Sequence, residues 1–291
     1  MWNCKCFISK RIVTSLSITI IIIVIIVSYL YHITNPSHRF HPDLSDNNLF
    51  IAHATGSLEG YTYLNSKESL MASLENGYKY IEVDLQFTSD SVLVCVHDWE
   101  QFNKMTIPNI SRKDSNLYMK VPSFKEFKSR KIYKRYTPMS FSDVIEIRKK
   151  NPFIIVTDRI SDAETLNHFF EVSERRNVMV EAFSNENYLT LKKDGYTPLY
   201  SMGSFSLFKG GIQIIYSQLF RDGYEWIVAD QHCSKRTLRL LKKLFGIKFA
   251  LSTVNSDVFF DWHLVNDIDL VYTDNWNLKT QLNNFQNKET Q

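Results

Sequence analysis

The sequence is short of several things, and each shortage excludes a class of protein. Only nine of its 291 residues are glycine and seven are proline, which excludes collagen-like and low-complexity chains. Four cysteines cannot staple a chain of this length, and no C-x-x-C pair offers a metal-binding spacing. A disulfide-framed secreted miniprotein is excluded. An excess of either charge is also missing, because 34 Lys plus Arg face 31 Asp plus Glu for a net charge of +3. That balance gives no support to a nucleic-acid partner. No G-x-G-x-x-G turn occurs, so a dinucleotide-binding sheet has no support either. What remains is 44% apolar and 22% charged, an ordinary globular composition with enough apolar mass for a large core.

The chain opens with a long apolar run. Ile12 to Tyr31 holds no charged residue, and Ile20 to Val27 is unbroken aliphatic. As a helix it would be about 30 Å long, the thickness of a bilayer's hydrocarbon core. Lys5, Lys10 and Arg11 precede it, so the positive-inside bias puts residues 1–11 in the cytoplasm and everything after Tyr31 on the far side. The alternative is a cleaved signal peptide, which would have a shorter apolar region and a small-x-small site. Here the run ends in Ser28-Tyr29-Leu30-Tyr31. The reading is therefore a single-pass transmembrane helix over 12–31, followed by a polar linker over 32–48 with Pro36 and Pro42.

From Leu49 onward, short apolar runs alternate with amphipathic stretches. The runs are Leu49–His53, Tyr80–Leu85, Phe153–Thr157, Val178–Phe183, Pro198–Met202, Trp226–Ala229, Phe249–Thr253 and Asp269–Thr273. Helices are expected over Ser66–Glu75, Ser140–Lys149, Asp162–Arg175, Asn185–Lys193 and Ser234–Phe245. This alternation predicts an α/β fold, a TIM-type (β/α)8 barrel over residues 49–280 with a polar tail over 281–291. A doubly wound open sheet is the structural rival. One extra strand, Val92–Val96, follows the second run after a turn too short for a helix, so the two must form an antiparallel β-hairpin inserted after strand two. A turn centred near Asp90 returns His97 level with Glu82, at the end of the barrel where active sites are built. A second insertion, 104–135, is rich in Lys and Arg. It reads either as a solvated, poorly ordered loop or as a basic lip for an anionic substrate or lipid headgroup.

Five ionisable residues fall at the C-terminal ends of the first strands and the hairpin: His53, Glu82, Asp84, His97 and Asp158. Glu82 and Asp84 share a face through strand alternation. Such paired carboxylates repel one another unless a cation neutralises them. With Asp158 they make an all-oxygen donor set suited to one divalent cation, Mg²⁺ or Ca²⁺ rather than zinc. His53 and His97 flank that set and suit general acid–base work near neutral pH.

These residues resemble a known family, the glycerophosphodiester phosphodiesterases. Ile51-Ala52-His53 with Asn65-Ser66 is similar to the family's histidine and Pro-Glu-Asn-Thr elements. Ile81-Glu82-Val83-Asp84, Thr88-Ser89-Asp90 and Val96-His97-Asp98 are similar to its I-E-x-D…T-x-D-G…H-D block. Leu251 to Asn255 resembles its Thr-Val-Asn strand, and Tyr272 to Trp276 its closing Thr-Asp strand. The resemblance implies metal-assisted hydrolysis of a glycerophosphodiester to glycerol 3-phosphate and an alcohol. It also implies that His53 and His97 are the acid–base pair and Glu82 and Asp84 metal ligands, with Asp158 where the family usually has the Glu of an E-x-K motif.

The sequence departs from the family at three places. Ala54 stands for the Arg after the first histidine, Leu64 for the Glu of Pro-Glu-Asn-Thr, and Ile160 for the Lys of E-x-K. Two phosphate-facing cations are thus missing, and adjacent Arg159 would face the wrong way on a regular strand. Asn65, Glu181 and Trp276 are further candidates for substrate contact. Cys95 and Cys233 would both lie in an oxidising compartment, but their spacing does not fix whether they meet. Two other readings remain open: a phospholipase D-like lipid headgroup hydrolase on the same barrel, whose third ligand is Asp, and a membrane-anchored binding protein without turnover.

Overall fold

A computed structural model describes residues 19–31, 49–108, 115–201, 214–219, 221, 223–255 and 268–274. Nine strands follow in chain order: β1 (Phe50–Ala52), β2 (Tyr80–Phe87), β3 (Leu93–Cys95), β4 (Ile154–Asp158), β5 (Val178–Ala182), β6 (Thr197–Ser201), β7 (Trp226–Asp230), β8 (Lys248–Ser252) and β9 (Leu270–Thr273). Eight of them run parallel, and β1 pairs with both β2 and β9, which closes the sheet into a TIM-type barrel. The remaining strand, β3, is antiparallel to the outer half of β2. The open-sheet rival is excluded by the closure.

Strand alternation builds the interior in layers. Ile51, Val156, Met179, Leu199, Val228, Ala250 and Tyr272 pack together inside the barrel. Two residues further along the same strands stand His53, Asp158, Glu181, Ser201, Asp230, Ser252 and Asp274. The polar layer therefore lies directly over the apolar one. Between sheet and helices a second core includes Val83, Ile155, Val180, Ile227 and Phe249. Helix starts are capped by short polar side chains, as at Ser66, Ser140 and Ser184, each accepting a backbone N–H of the first turn.

Two sequence expectations are corrected. The helix expected over Asp162–Arg175 spans only Ala163–Asn167. Phe169 and Phe170 both pack on Phe141, although neighbouring residues on a helix point about 100° apart. Segment 104–135 is not a poorly ordered loop where it is described, since Phe127 and Ile132 join Leu64, Val96 and Phe102 in a third core. Within it, Lys120, Lys128 and Arg135 pair with Glu126, Asp143 and Glu59. Cys95 and Cys233 are both free thiols.

The described part of the apolar N-terminal run, 19–31, is helical with Ile20 to Val27 exposed. Among the described residues no helix is long and apolar enough to cross a membrane. The rest of the predicted span, the linker and the polar tail lie outside the described residues.

Candidate active site

The parallel register of β2 and β4 sets Asp84 beside Asp158. Glu82, Asp84 and Asp158 each offer an oxygen within 4.8 Å of the others. Burial and the charges of Asp84 and Asp158 hold the Glu82 carboxyl well above its usual range. Burial and Asp84 raise Asp158 in the same way. Asp84 is fully buried and its Oδ1 has no hydrogen-bond partner. An orphaned carboxylate oxygen is costly, and crowded like charges add to that cost. The three residues therefore fit a hard divalent cation, which would engage the free oxygen and neutralise the cluster.

The other oxygen of Asp84 is held by Asn65, whose amide donates to Oδ2 at 2.8 Å while its carbonyl accepts the Asp84 N–H at 3.1 Å. Asn65, expected near substrate, thus has both ends of its amide engaged with Asp84. The Ala54 N–H donates to Glu82 Oε2. Ala54 itself is wholly buried, in a left-handed turn with φ 47°. Gly56 makes this loop possible, because its φ is 84° and a Cβ there would meet the Ser73 hydroxyl at 2.4 Å.

His53 is buried, and its Nδ1 lies 2.7 Å from Asp274 Oδ1. Burial pushes the imidazole pKa down, but the hydrogen bond and charge of Asp274, with Asp84 and Glu181 beyond, outweigh it and raise the value. Asp274 is fixed by Asn255, whose amide donates to Oδ2 at 2.6 Å and whose carbonyl accepts the Asp274 N–H at 2.8 Å. His97 has the matching arrangement. The hairpin register pairs Leu85 with Cys95 and Phe87 with Leu93, and the Val96 N–H donates to the Asp84 carbonyl at 2.8 Å. The expected return of the hairpin to the level of the acids therefore holds. His97 Nδ1 lies 2.8 Å from Asp98 Oδ2, while Asp98 Oδ1 caps helix Trp99–Thr106 through the Gln101 N–H at 2.7 Å.

Sequence reasoning missed Asp274, Asn255 and Tyr63 as parts of this site. Asp274 and Asn255 had a signal, since both lie in the motifs that carried the resemblance. Tyr63 had none: its ring stands edge-on between the two imidazoles, 4.7 Å from His53 and 5.0 Å from His97. Its hydroxyl is pushed up to about 12 by burial and by Asp274, Asp84 and Glu82, so it stays neutral. Glu181 lines the same pocket, and burial with the charge of Asp158 pushes it up to about 8. Trp276 lies outside the described residues. The pocket, about 170 Å³, is lined by His53, Glu82, Asp158, Glu181, Ser201, Asp230, Ser252 and Tyr272. Two larger hollows, beside Arg148 and beside Lys128, lie away from the acid cluster.

Residues 57–194 match the sequence model of the Glycerophosphoryl diester phosphodiesterase family. That span contains Asn65, the three clustered acids, His97 and Glu181, and leaves out His53 and Asp274. No curated protein matches the chain. Several solved structures do. A candidate glycerophosphoryl diester phosphodiesterase of Agrobacterium tumefaciens aligns at TM-score 0.65 and 14% identity, over 83% of this chain and 99% of its own. A glycerophosphodiester phosphodiesterase of Thermotoga maritima aligns at TM-score 0.58 and 17% identity, over 84% and 100%. An Oleispira antarctica phosphodiesterase, solved with the product sn-glycerol-3-phosphate, aligns at TM-score 0.57 and 16% identity, over 81% and 96%. At such identities the structural likeness establishes the barrel fold alone.

Proposed function

We propose that this chain, a glycerophosphodiester phosphodiesterase by the family its residues 57–194 match, releases glycerol 3-phosphate with His53 as first general acid and His97 as first general base. The observation that carries this reading is the pair of imidazole–aspartate contacts, His53 with Asp274 and His97 with Asp98, on either side of the acid cluster. Each aspartate accepts from Nδ1, which leaves Nε2 of both rings for proton transfer. Asp274 favours the protonated state of His53, so His53 suits protonation of a leaving alcohol. His97 Nε2 faces the Arg159 guanidinium. A guanidinium only donates, so that nitrogen carries a lone pair, as a base requires.

In the first step His97 Nε2 takes the proton of the glycerol 2-hydroxyl as its oxygen bonds to phosphorus. The bond from phosphorus to the alcohol breaks, and His53 Nε2 gives its proton to the departing oxygen. In the second step His53 takes a proton from water as the water oxygen bonds to phosphorus, the bond from phosphorus to the 2-oxygen breaks, and His97 returns its proton to that oxygen. A divalent cation held by Glu82, Asp84 and Asp158 would supply charge neutralisation and make the hydroxyl more acidic. The Tyr63 ring occupies the gap between the two imidazoles.

Asp158 in place of Glu supports a second reading, the headgroup hydrolase on intact lipid, and the apolar N-terminal run supports an anchored enzyme with its barrel outside the cytoplasm. A chelated, soluble fragment from about Asp43 tests the main reading. Release of glycerol 3-phosphate from glycerophosphocholine is expected once Mg²⁺ or Ca²⁺ is restored, and is lost in His53→Ala and Glu82→Ala. Cleavage of lysophospholipid or sphingomyelin alone would favour the second reading. A folded protein inert on every substrate would leave only ligand binding.

A further inference from the structure

We propose that Arg159 is the phosphate-binding cation of this site, and that it rests against His97 until a phosphate draws it away. The inference builds on the phosphodiesterase reading above and names the residue that makes it workable. An anionic diester entering the mouth meets Glu82, Asp158 and Glu181, and among the described residues no Lys or Arg lines the pocket. Ala54 is wholly buried, and Ile160 packs against the core outside the barrel. Neither position offers a charge.

Arg159 reaches the mouth through its backbone. One residue past Asp158 on a regular strand, its side chain would face the helices. Instead its φ is 71°, and the Ile160 N–H closes a three-residue turn on the Asp158 carbonyl at 2.9 Å. This is the rarer, strained hand of such a turn, unusual for a side chain as large as arginine. The Asp158 carboxylate supports it by accepting the Arg159 N–H at 2.6 Å. The turn sends Ile160 outward and swings the guanidinium inward. Its Nε then lies 3.6 Å from Asp158 Oδ2, and its Nη2 contacts His97 Nε2 and lies 3.3 Å from Nδ1. The side chain is still 39% exposed, so it can meet an incoming ligand.

Two consequences follow from guanidinium chemistry. Its planar fork of donors suits two phosphate oxygens at once. While it donates to His97, the lone pair needed for proton abstraction is occupied. A phosphate that attracts the guanidinium frees that lone pair, so arrival of the correct group makes the base available.

The test compares wild type with Arg159→Ala, Arg159→Lys and Arg159→Gly, all loaded with divalent cation, on glycerophosphocholine. Loss of a charge-assisted phosphate contact is expected to lower kcat/KM about 10- to 100-fold in Arg159→Ala, with lysine intermediate. Added guanidinium ion should restore part of the alanine variant's rate. Arg159→Gly should melt no lower than wild type, because glycine relieves the strained turn. An alanine variant within twofold of wild type overturns the proposal, as does a loss fully restored by raising the metal concentration. Should wild type cleave no diester, the phosphodiesterase reading fails by itself. Binding of glycerol 3-phosphate, followed by ³¹P NMR, then decides on Arg159: weaker binding in Arg159→Ala supports it, and equal binding overturns it.

Discussion

His53 Nδ1 and Asp274 Oδ1 lie 2.7 Å apart although 221 residues separate them in the chain. The contact exists because β1 and β9 are neighbours where the barrel closes, with Ala52 paired to Thr273. The residues just past that pair are the histidine and the aspartate. Closure of the sheet thus assembles the acid of the proposed reaction.

Replacing Asp274 by Asn should separate this function from folding. The asparagine keeps the shape, loses the charge and no longer fixes the tautomer with Nδ1 protonated. General acid–base catalysis contributes about 10²–10⁴-fold, and a decline in kcat of about 100-fold or more is expected. The pKa of His53 should fall, moving the alkaline limb of the kcat–pH profile to lower pH. A profile with an unmoved alkaline limb would show that Asp274 serves only the fold.

Divalent cation should stabilise the protein as well as activate it. A ligand at 100 times its Kd adds about 2.7 kcal/mol to the folded state, so Mg²⁺ or Ca²⁺ should raise the Tm of chelated protein. Asp84→Asn retains a partner for Asn65 but removes the charge facing the cation. It should abolish both the metal-dependent rise in Tm and the turnover. Calorimetry with each metal checks this, and an undiminished rise in the variant would remove Asp84 from the donor set.

Without metal, stability should fall as pH rises from about 5 to about 8. Burial and the charge of Asp158 push Glu181 from 4.5 up to about 8, and Glu82 and Asp158 are raised as well. In this window the folded chain keeps protons that the unfolded chain has released, so raising pH favours unfolding. His53 acts in the same sense above its ordinary value of 6.5, because its folded pKa is raised. The depressed carboxyls, such as Glu68, Asp98 and Asp143, act oppositely, but only at more acidic pH. Thermal melts at pH 5 and pH 8 in chelator should show the lower Tm at pH 8. Glu181→Gln should narrow the difference, and a higher Tm at pH 8 would contradict the assignment.

The barrel and much of its catalytic layer were legible in the sequence because both depend on period-two alternation and short turns. The Thr88–Ser91 turn alone brought His97 to the acids, since a hairpin has few registers. Other features depend on contacts that no local pattern reports. Asp274 needed the closure of β1 on β9 before its partner was known. Tyr63 is placed by a loop with φ 55° at that residue, a conformation sequence periodicity does not encode. Arg159 was expected to face away because pleat arithmetic assumes an extended backbone, and a single left-handed residue reverses the result. The helix over 162–175 was overextended because the pattern cannot say that Phe169 and Phe170 both turn inward.

The apolar run at 12–31 should hold the enzyme at a membrane with the barrel on the side opposite Lys5, Lys10 and Arg11. A reporter active only outside the cytoplasm, fused after Gln291, is expected to be active. Removing residues 1–42 should move the protein to the soluble fraction while kcat on a soluble diester stays unchanged. A cytoplasmic reporter would overturn the orientation.

The third core should matter to catalysis through His97. Phe127 is fully buried and its ring stacks on Phe102 at 5.0 Å, within the cluster that also holds Val94 and Val96 of the hairpin. Phe127→Ala should cost about 3–5 kcal/mol, as truncation of a buried aromatic does. The hairpin that carries His97 packs on this cluster, whereas His53 depends on β1 and β9. Loss of packing should therefore displace the base more than the acid, lowering kcat well below the melting temperature. Imidazole NMR signals can separate the two: His97 should shift or broaden in the variant while His53 stays in place. Equal disturbance of both rings would mean that the insertion supports the barrel as a whole rather than the base.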